Sequence, residues 1–238
     1  MTTEIIIKGN EELDVKIKLI PGKKTYGKRI TIINKLWNRA KKKNSCLFNG
    51  KAYSLLKYYL ENNNLTLIIQ QTDYKAFVGT NLSLNQDRLE KVTLANILAV
   101  SALTFTKDEK ILLGLRSHEV AEASDMWHIP GGNVDAYSGN NTLLASIKKE
   151  LWQECSINEK DIAAINFLGL IINKLNNKPE AIFKIKLSIN SQKLKEKISN
   201  SIDEFEHQEF KFLTKDEIPK FKKNNSLTNI AKTALRLD

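Results

Sequence analysis

The sequence predicts an α/β protein in two unequal parts, and three observations carry that reading. Strand-like and helix-like segments alternate along the chain, a soft boundary falls near residues 85–92, and the second part sets regular strands around an amphipathic helix. In the first part, Glu4–Lys8 and Asp14–Leu19 read as paired β-segments separated by the turn-prone Gly9-Asn10. A basic helical stretch follows at Ile30–Lys43, where Ile33, Leu36 and Trp37 share one face and therefore belong to a core. A second helix fits Ala52–Leu60 and ends at the asparagine run Asn62–Asn64, and Leu65–Gln70 is a strand.

In the second part, Asn96–Phe105 and Ile111–Leu115 are strands joined across the polar turn Thr106–Lys110. A long loop, Ser117–Asn141, carries Pro130-Gly131-Gly132, and a helix follows at Thr142–Cys155. Strands at Ile165–Ile172, Ala181–Leu187 and around Phe210–Leu213 precede a closing helix, Thr228–Leu237. The chain has no internal repeat and no low-complexity linker.

Composition narrows the function classes. With 238 residues, 42% hydrophobic and 27% charged, the chain buries a substantial core in the manner of an ordinary globular protein. The longest apolar run, Ile97–Phe105, is broken by Ser101 and Thr104, so no membrane partner is expected. Glu4 comes too early, and Ile5–Ile7 is too short, for a signal peptide, which leads to an expected cytoplasmic localisation. Cys46 and Cys155 make no metal motif. The net charge of +10 raises nucleic acid as a partner. The lysines are scattered, however, with short runs only at Lys41–Lys43 and Lys220–Lys223, and no nucleic-acid motif accompanies them. A solvated basic surface is the preferred account, one whose field also draws in an anionic nucleotide.

The chemistry concentrates in Ile129-Pro-Gly-Gly-Asn-Val-Asp135 and the helix after it. A helix turns about 100° per residue, so Glu150 and Glu154 lie about 40° apart on one face. Gln153 flanks them, while Leu144, Ile147, Leu151 and Cys155 form the adjoining buried stripe. Two carboxylates and an amide beside a glycine-rich loop suit a hard divalent cation such as magnesium. Taken alone, two glutamates at this spacing equally suit an exposed face with ordinary pairs to Lys148 and Lys149.

This stretch resembles the Nudix box, G-x5-E-x7-R-E-U-x-E-E-x-G-U with U aliphatic. Gly132 fits the opening glycine, and Lys149-Glu150-Leu151-Trp152-Gln153-Glu154-Cys155-Ser156-Ile157 fits the end of the pattern. Lys149 stands for arginine, Gln153 for a glutamate, Ser156 for glycine, and Asn141 falls near the early glutamate with eight residues after Gly132 instead of five. Further segments resemble the UDP-glucose/UDP-galactose diphosphatase branch of the Nudix hydrolase superfamily, the nucleoside diphosphate-linked moiety X motif 22 type. They are Leu47-Phe48-Asn49-Gly50-Lys51, Thr72 to Asn81, Arg116-Ser117 with Val120-Ala121-Glu122-Ala123, Phe167-Leu168-Gly169-Leu170, and a late segment around His207. The resemblance spans about residues 30–238.

The resemblance implies a mixed-sheet α/β/α sandwich over residues 90–238, preceded by a smaller α+β domain over residues 1–89. It also implies magnesium-dependent attack of water on the pyrophosphate of a UDP-sugar, giving UMP and sugar 1-phosphate, with manganese able to replace magnesium. Glu150 and Glu154 are then the catalytic and metal-binding pair, with Gln153 on a metal-bound water and a backbone carbonyl near Gly131-Gly132 as a further ligand. A later-loop carboxylate, Glu206 or Glu209, completes the metal set, with Glu180 as a further candidate, or each is an ordinary surface acid. For substrate, Arg116 clamps a phosphate or serves a structural ion pair. Thr80 and Asn81 hydrogen-bond uracil or ribose, or cap their loop, and Tyr74, Phe77 and Trp127 stack on a base or fill the core. His118 and His128 are too isolated to assign. The competing readings are a Nudix hydrolase of ADP-ribose or a dinucleoside polyphosphate, and a catalytically weak protein that binds a nucleotide or RNA.

Overall fold

The computed structural model describes residues 3–10, 13–45, 47–82, 94–120, 122–134, 142–199 and 206–238. It is a mixed α/β fold built on two sheets. Eleven strands occur in chain order among these residues: β1 Thr3–Lys8, β2 Asp14–Lys23, β3 Lys51–Glu61, β4 Asn64–Asp73, β5 Ala99–Phe105, β6 Ile111–Arg116, β7 Trp127–His128, β8 Gly131–Asn133, β9 Ile162–Asn173, β10 Lys178–Leu187 and β11 His207–Leu213. The helices are α1 Ile30–Lys43, α2 Tyr74–Phe77, α3 Thr142–Cys155, α4 Ser191–Ile198, α5 Ile218–Asn224 and α6 Asn229–Leu237. The large sheet runs β1-β9-β10-β5-β6-β11, with β8 on β5 and β7 on β6; the small one runs β2-β4-β3. In the large sheet β10 and β5 pair in parallel and the other pairs are antiparallel, which makes the sheet mixed.

The period-two alternation of β5 divides the core. Val100 and Ala102 face Leu143, Ile147 and Leu151 of α3, whereas Leu103 and Phe105 face Ala231, Ala234 and Leu237 of α6. The sheet is therefore covered on both sides, and each fully buried Leu or Ile contributes about 1.5–3 kcal/mol. Tyr53, Leu55, Leu65, Leu67 and Ile69 of the small sheet join the core on the α3 side. A bridge between Ser54 and Ile97 ties the two sheets, reinforced by Leu98 N–H to Tyr53 O at 2.8 Å.

Several elements differ from the sequence reading, among them β7 and β8, which lie in the stretch Ser117–Asn141 expected as a loop. The segment expected as a helix at Ala52–Leu60 is strand β3, antiparallel to β4 with Glu61 opposite Asn64. Asn62 and Asn63 carry φ of 45° and 58°, the left-handed pair that a two-residue hairpin turn requires, so the asparagines close a hairpin instead of ending a helix. β1 and β2 do not pair with each other: β1 lies against β9, and β2 runs parallel to β4. Helices α4 and α5 fall where the sequence reading assigned none. The first is capped by Asn190, which accepts from Lys193 N–H at 2.9 Å, and the second follows the Thr214–Glu217 capping box. The boundary expected near 85–92 falls within 83–93, outside the described residues. Among the described residues no helix is long and apolar enough to cross a membrane.

Candidate active site

The centre of the site is the meeting of α3 with β8. Gly132 pairs with Val100 and Gly131 with Ser101 on β5, so the glycines are held as a strand under the helix. A Cβ on Gly132 would lie 2.6 Å from Cδ of Glu150 and 2.7 Å from both its oxygens. The bare face of this glycine is where the Glu150 carboxylate sits. One turn on, Glu154 accepts a hydrogen bond from Gly131 N–H at 3.2 Å. The i, i+4 spacing thus places both carboxylates on the Gly-Gly backbone, because Leu143, Ile147 and Leu151 anchor the neighbouring stripe of α3.

Glu154 is almost sealed from solvent, and its Oε2 has no hydrogen-bond partner among the described residues. Burial, and then the like charges of Glu206 and Glu150, push its carboxyl well above the usual range, with Arg116 and the Gly131 N–H pulling back. Nδ1 of His207 lies 3.6 Å from that unpartnered oxygen. The His207 ring occupies a slot over Gly114, where a Cβ would come within 2.3 Å of the imidazole, and Phe210 packs beside it at 4.9 Å between centroids. Burial, followed by the charge of Arg116, lowers the His207 pKa to about 3.

Arg116 ends β6 and organises the next wall. Its Nη1 reaches Glu206 Oε1 at 3.2 Å, and its Nε donates to Glu122 O at 3.0 Å. The Glu122 carboxylate accepts from Lys178 Nζ and from Asn176 Nδ2, each at 3.1 Å. Beyond these groups opens a cavity of about 970 Å³. Glu150, Gln153 and Lys149 of α3 line it on one side, and Phe48, Lys51 and Tyr74 from the first part of the chain line it on another. Glu180 forms part of the same wall; it takes a short hydrogen bond from Ser101, and burial raises its pKa. His128, also in the wall, shares a 2.7 Å hydrogen bond with Thr228.

The structure brings together Glu150, Glu154, Gln153, Gly131, Gly132, Arg116 and Tyr74 from the sequence-derived set. It does not bring Thr80 and Asn81 to the cavity. Both are 1% exposed and pin the chain: Ala95 N–H donates to Thr80 Oγ1 and to Asn81 Oδ1 at 3.0 Å each, and Asn81 Nδ2 reaches Asn176 O at 2.7 Å. Glu209 is exposed and pairs with Lys211 at 3.5 Å, away from the cluster, whereas Glu206 joins it. Trp127 packs edge-on against Phe221 inside the core, Phe77 is fully buried, and His118 is an exposed partner of Asp125. Asn141 lies outside the described residues. Lys178 was missed, since a lysine entering a strand after two asparagines carries no local signal. Phe48 stood in a resembling segment, but nothing in its spacing marked it as a rim residue.

No family model matches the chain. It is 25% identical over 224 residues to Nudix hydrolase 9 of Arabidopsis thaliana, a similarity covering 78% of this chain and 72% of that protein. This similarity supports the Nudix hydrolase superfamily. Among solved structures, a MutT protein from Methanosarcina mazei Go1 aligns at 20% identity over 60% of this chain and 92% of its own, with a TM-score of 0.39. A NUDIX hydrolase from Nitrosomonas europaea aligns at 14% identity over 59% of this chain and 86% of its own, also with a TM-score of 0.39.

Proposed function

We propose that this chain hydrolyses the pyrophosphate of a nucleoside diphosphate derivative with the help of a divalent cation, and that the derivative is a UDP-sugar, cleaved to UMP and sugar 1-phosphate. The observation that carries the reading is the convergence of Glu150 and Glu154 on the Gly131-Gly132 backbone, with Glu206 close enough to raise the Glu154 pKa. Among the described residues no group of three or more His, Cys, Asp or Glu side chains could hold an ion by itself. A magnesium site that completes its shell with substrate phosphates and waters needs only one or two carboxylates. The unpartnered Glu154 Oε2 and the mutual repulsion of the acids suit a divalent cation.

Glu150 and Glu154 would hold the ion, with Gln153 placed for one of its waters. A magnesium ion held there would supply neutralisation of the phosphate charge. Water adds to one phosphorus, the bridging P–O bond breaks, and the water proton passes to a carboxylate; Glu150, which faces the cavity, is placed to take it. Arg116 turns its guanidinium toward the anionic substrate from between Glu206 and the Glu122 backbone. Lys51, Lys149 and Lys178 add positive charge around the cavity. Phe48, 77% exposed at the rim, offers its ring face to a base, with Tyr74 in the same wall. The preference for UDP-sugars rests on the resembling segments that supply these walls: Leu47–Lys51, the stretch with Tyr74, and Arg116 with Glu122.

A chromatographic assay of UDP-glucose, UDP-galactose, ADP-ribose and a dinucleoside tetraphosphate, each with magnesium or with a chelator, tests the reading. UMP released from the UDP-sugars only with magnesium, and lost in Glu154→Gln, is the expected result. Turnover of another substrate moves the specificity and keeps the chemistry. Absence of turnover on all four at high magnesium rejects the enzyme reading in favour of a nucleotide binder.

A further inference from the structure

We infer that His207 is a positioning residue: its Nδ1–H donates to Glu154 Oε2 and fixes the orientation in which this carboxylate meets its cation. The inference rests on the proposed metal-dependent hydrolysis and adds a residue outside the box to it. Four observations carry it. Glu154 Oε2 and both ring nitrogens of His207 are buried without hydrogen-bond partners among the described residues, and such groups are costly unless a partner forms. Two of these atoms face each other at 3.6 Å, a gap that a small side-chain rotation turns into a hydrogen bond. The ring is held in place: a Cβ on Gly114 would lie 2.7 Å from Nε2, and Phe210 closes the other side. Glycine weakens a strand interior, so its presence in Ile111–Arg116 marks a place where another group must approach closely.

His207 meets the site at Glu154 Oε2, so it acts through that carboxylate and not on substrate. Glu154 has two oxygens with distinct surroundings. Gly131 N–H holds Oε1, and a donor on Oε2 would complete the orientation, leaving the remaining lone pairs of both for the ion. A ligating carboxylate that is itself hydrogen-bonded keeps its geometry when the metal leaves, which is the general use of such outer partners.

Two measurements test this. With magnesium at saturation, imidazole proton–nitrogen correlations identify which nitrogen of His207 is protonated; the chain has only three histidines, so assignment by single substitution is direct. Protonation at Nδ1 is expected, shifting to Nε2 in Glu154→Gln, whose amide donates toward the ring instead. Manganese affinity is then read by paramagnetic resonance for His207→Asn, His207→Gln and His207→Phe. Asparagine places its amide nitrogen near Nδ1 and should stay within a few-fold of wild type, while phenylalanine fills the slot without a donor and should bind about 10-fold more weakly. Glutamine, which mimics Nε2, should follow phenylalanine. Equal affinity across the three variants, or a proton on Nε2 in the wild type, overturns the inference even if a variant folds poorly, because the second result needs no variant. A wild type that binds neither ion rejects the proposed metal reading and the positioning role together.

Discussion

Replacing Glu154 with glutamine should make the metal-free protein more stable while abolishing hydrolysis. The carboxyl is 1% exposed in its side chain, and the charges of Glu206 and Glu150 add to burial in disfavouring its ionised form. Glutamine keeps the shape: its carbonyl accepts from Gly131 N–H, and its amide donates toward His207 Nδ1. Replacing buried, incompletely compensated ionic groups with neutral ones stabilises proteins by about 1–4 kcal/mol. A gain of about 2 kcal/mol corresponds to about 4–8 °C in Tm for a chain of this length. The pH dependence follows from the direction of the shift. The folded-state pKa is raised above the reference value of 4.5, so the native chain holds a proton that the unfolded chain releases. Stability from this group is fully present below the unfolded value and is lost as pH rises through the folded one. The advantage of glutamine should therefore be small at about pH 5 and larger at about pH 8. Calorimetric melts in chelator at both values check it. A variant melting below wild type at the higher pH, or gaining equally at both, refutes the account of Glu154 as a frustrated charge. Saturating magnesium should raise the wild-type Tm and leave the variant unchanged.

Gly132→Ala would put a methyl group 2.6 Å from Cδ of Glu150; displacing that carboxylate by about an ångström should lower kcat about 100-fold in initial-rate assays, with the fold kept. Asn81→Ala removes one of the two acceptors of Ala95 N–H and the donor to the Asn176 carbonyl, so it should cost about 1–3 kcal/mol in denaturant unfolding while leaving KM unchanged. Phe48→Ala should behave in the opposite way, raising KM about 5–10-fold with no change in stability, because a stacked base contributes about 1–3 kcal/mol and the ring is 77% exposed.

The parts of the fold legible in the sequence are those governed by a period. Helix α3 announced itself through Leu144, Ile147 and Leu151, and the short apolar runs of β5 and β10 marked them as strands, though not that both their faces would be buried. The β3 segment misled because Ala52–Leu60 contains no local breaker, and the decisive signal was a pair of asparagines that suits both a helix end and a hairpin turn. Partner choice was illegible for β1, whose mate β9 lies some 160 residues away in sequence and which the nearer β2 seemed to satisfy. In the site, helix geometry placed Glu150 and Glu154 together, since that needs only their spacing. Choosing between Glu206 and Glu209 needed the register of β11, where the Arg116 side chain fixes Glu206 inward. Thr80 and Asn81 looked like ligand groups for the reason that makes them useful pins: short polar side chains can serve a backbone as readily as a ribose.

The place of β1 has a consequence for how the molecule is made. Its six residues leave the ribosome long before their hydrogen-bonding mate, Ile162–Asn173, does. Until then β1 waits unpaired, and a contact so distant in sequence is expected to form late. Thr3 is also joined through its hydroxyl to Thr233 at 2.7 Å, a residue made later still. Any shortened chain that starts near residue 94 would leave β9 with one edge bare, an invitation to pair with the same strand of another molecule. β1 thus works as a closing seam, and cutting it away should give a protein whose first fault is self-association in solution.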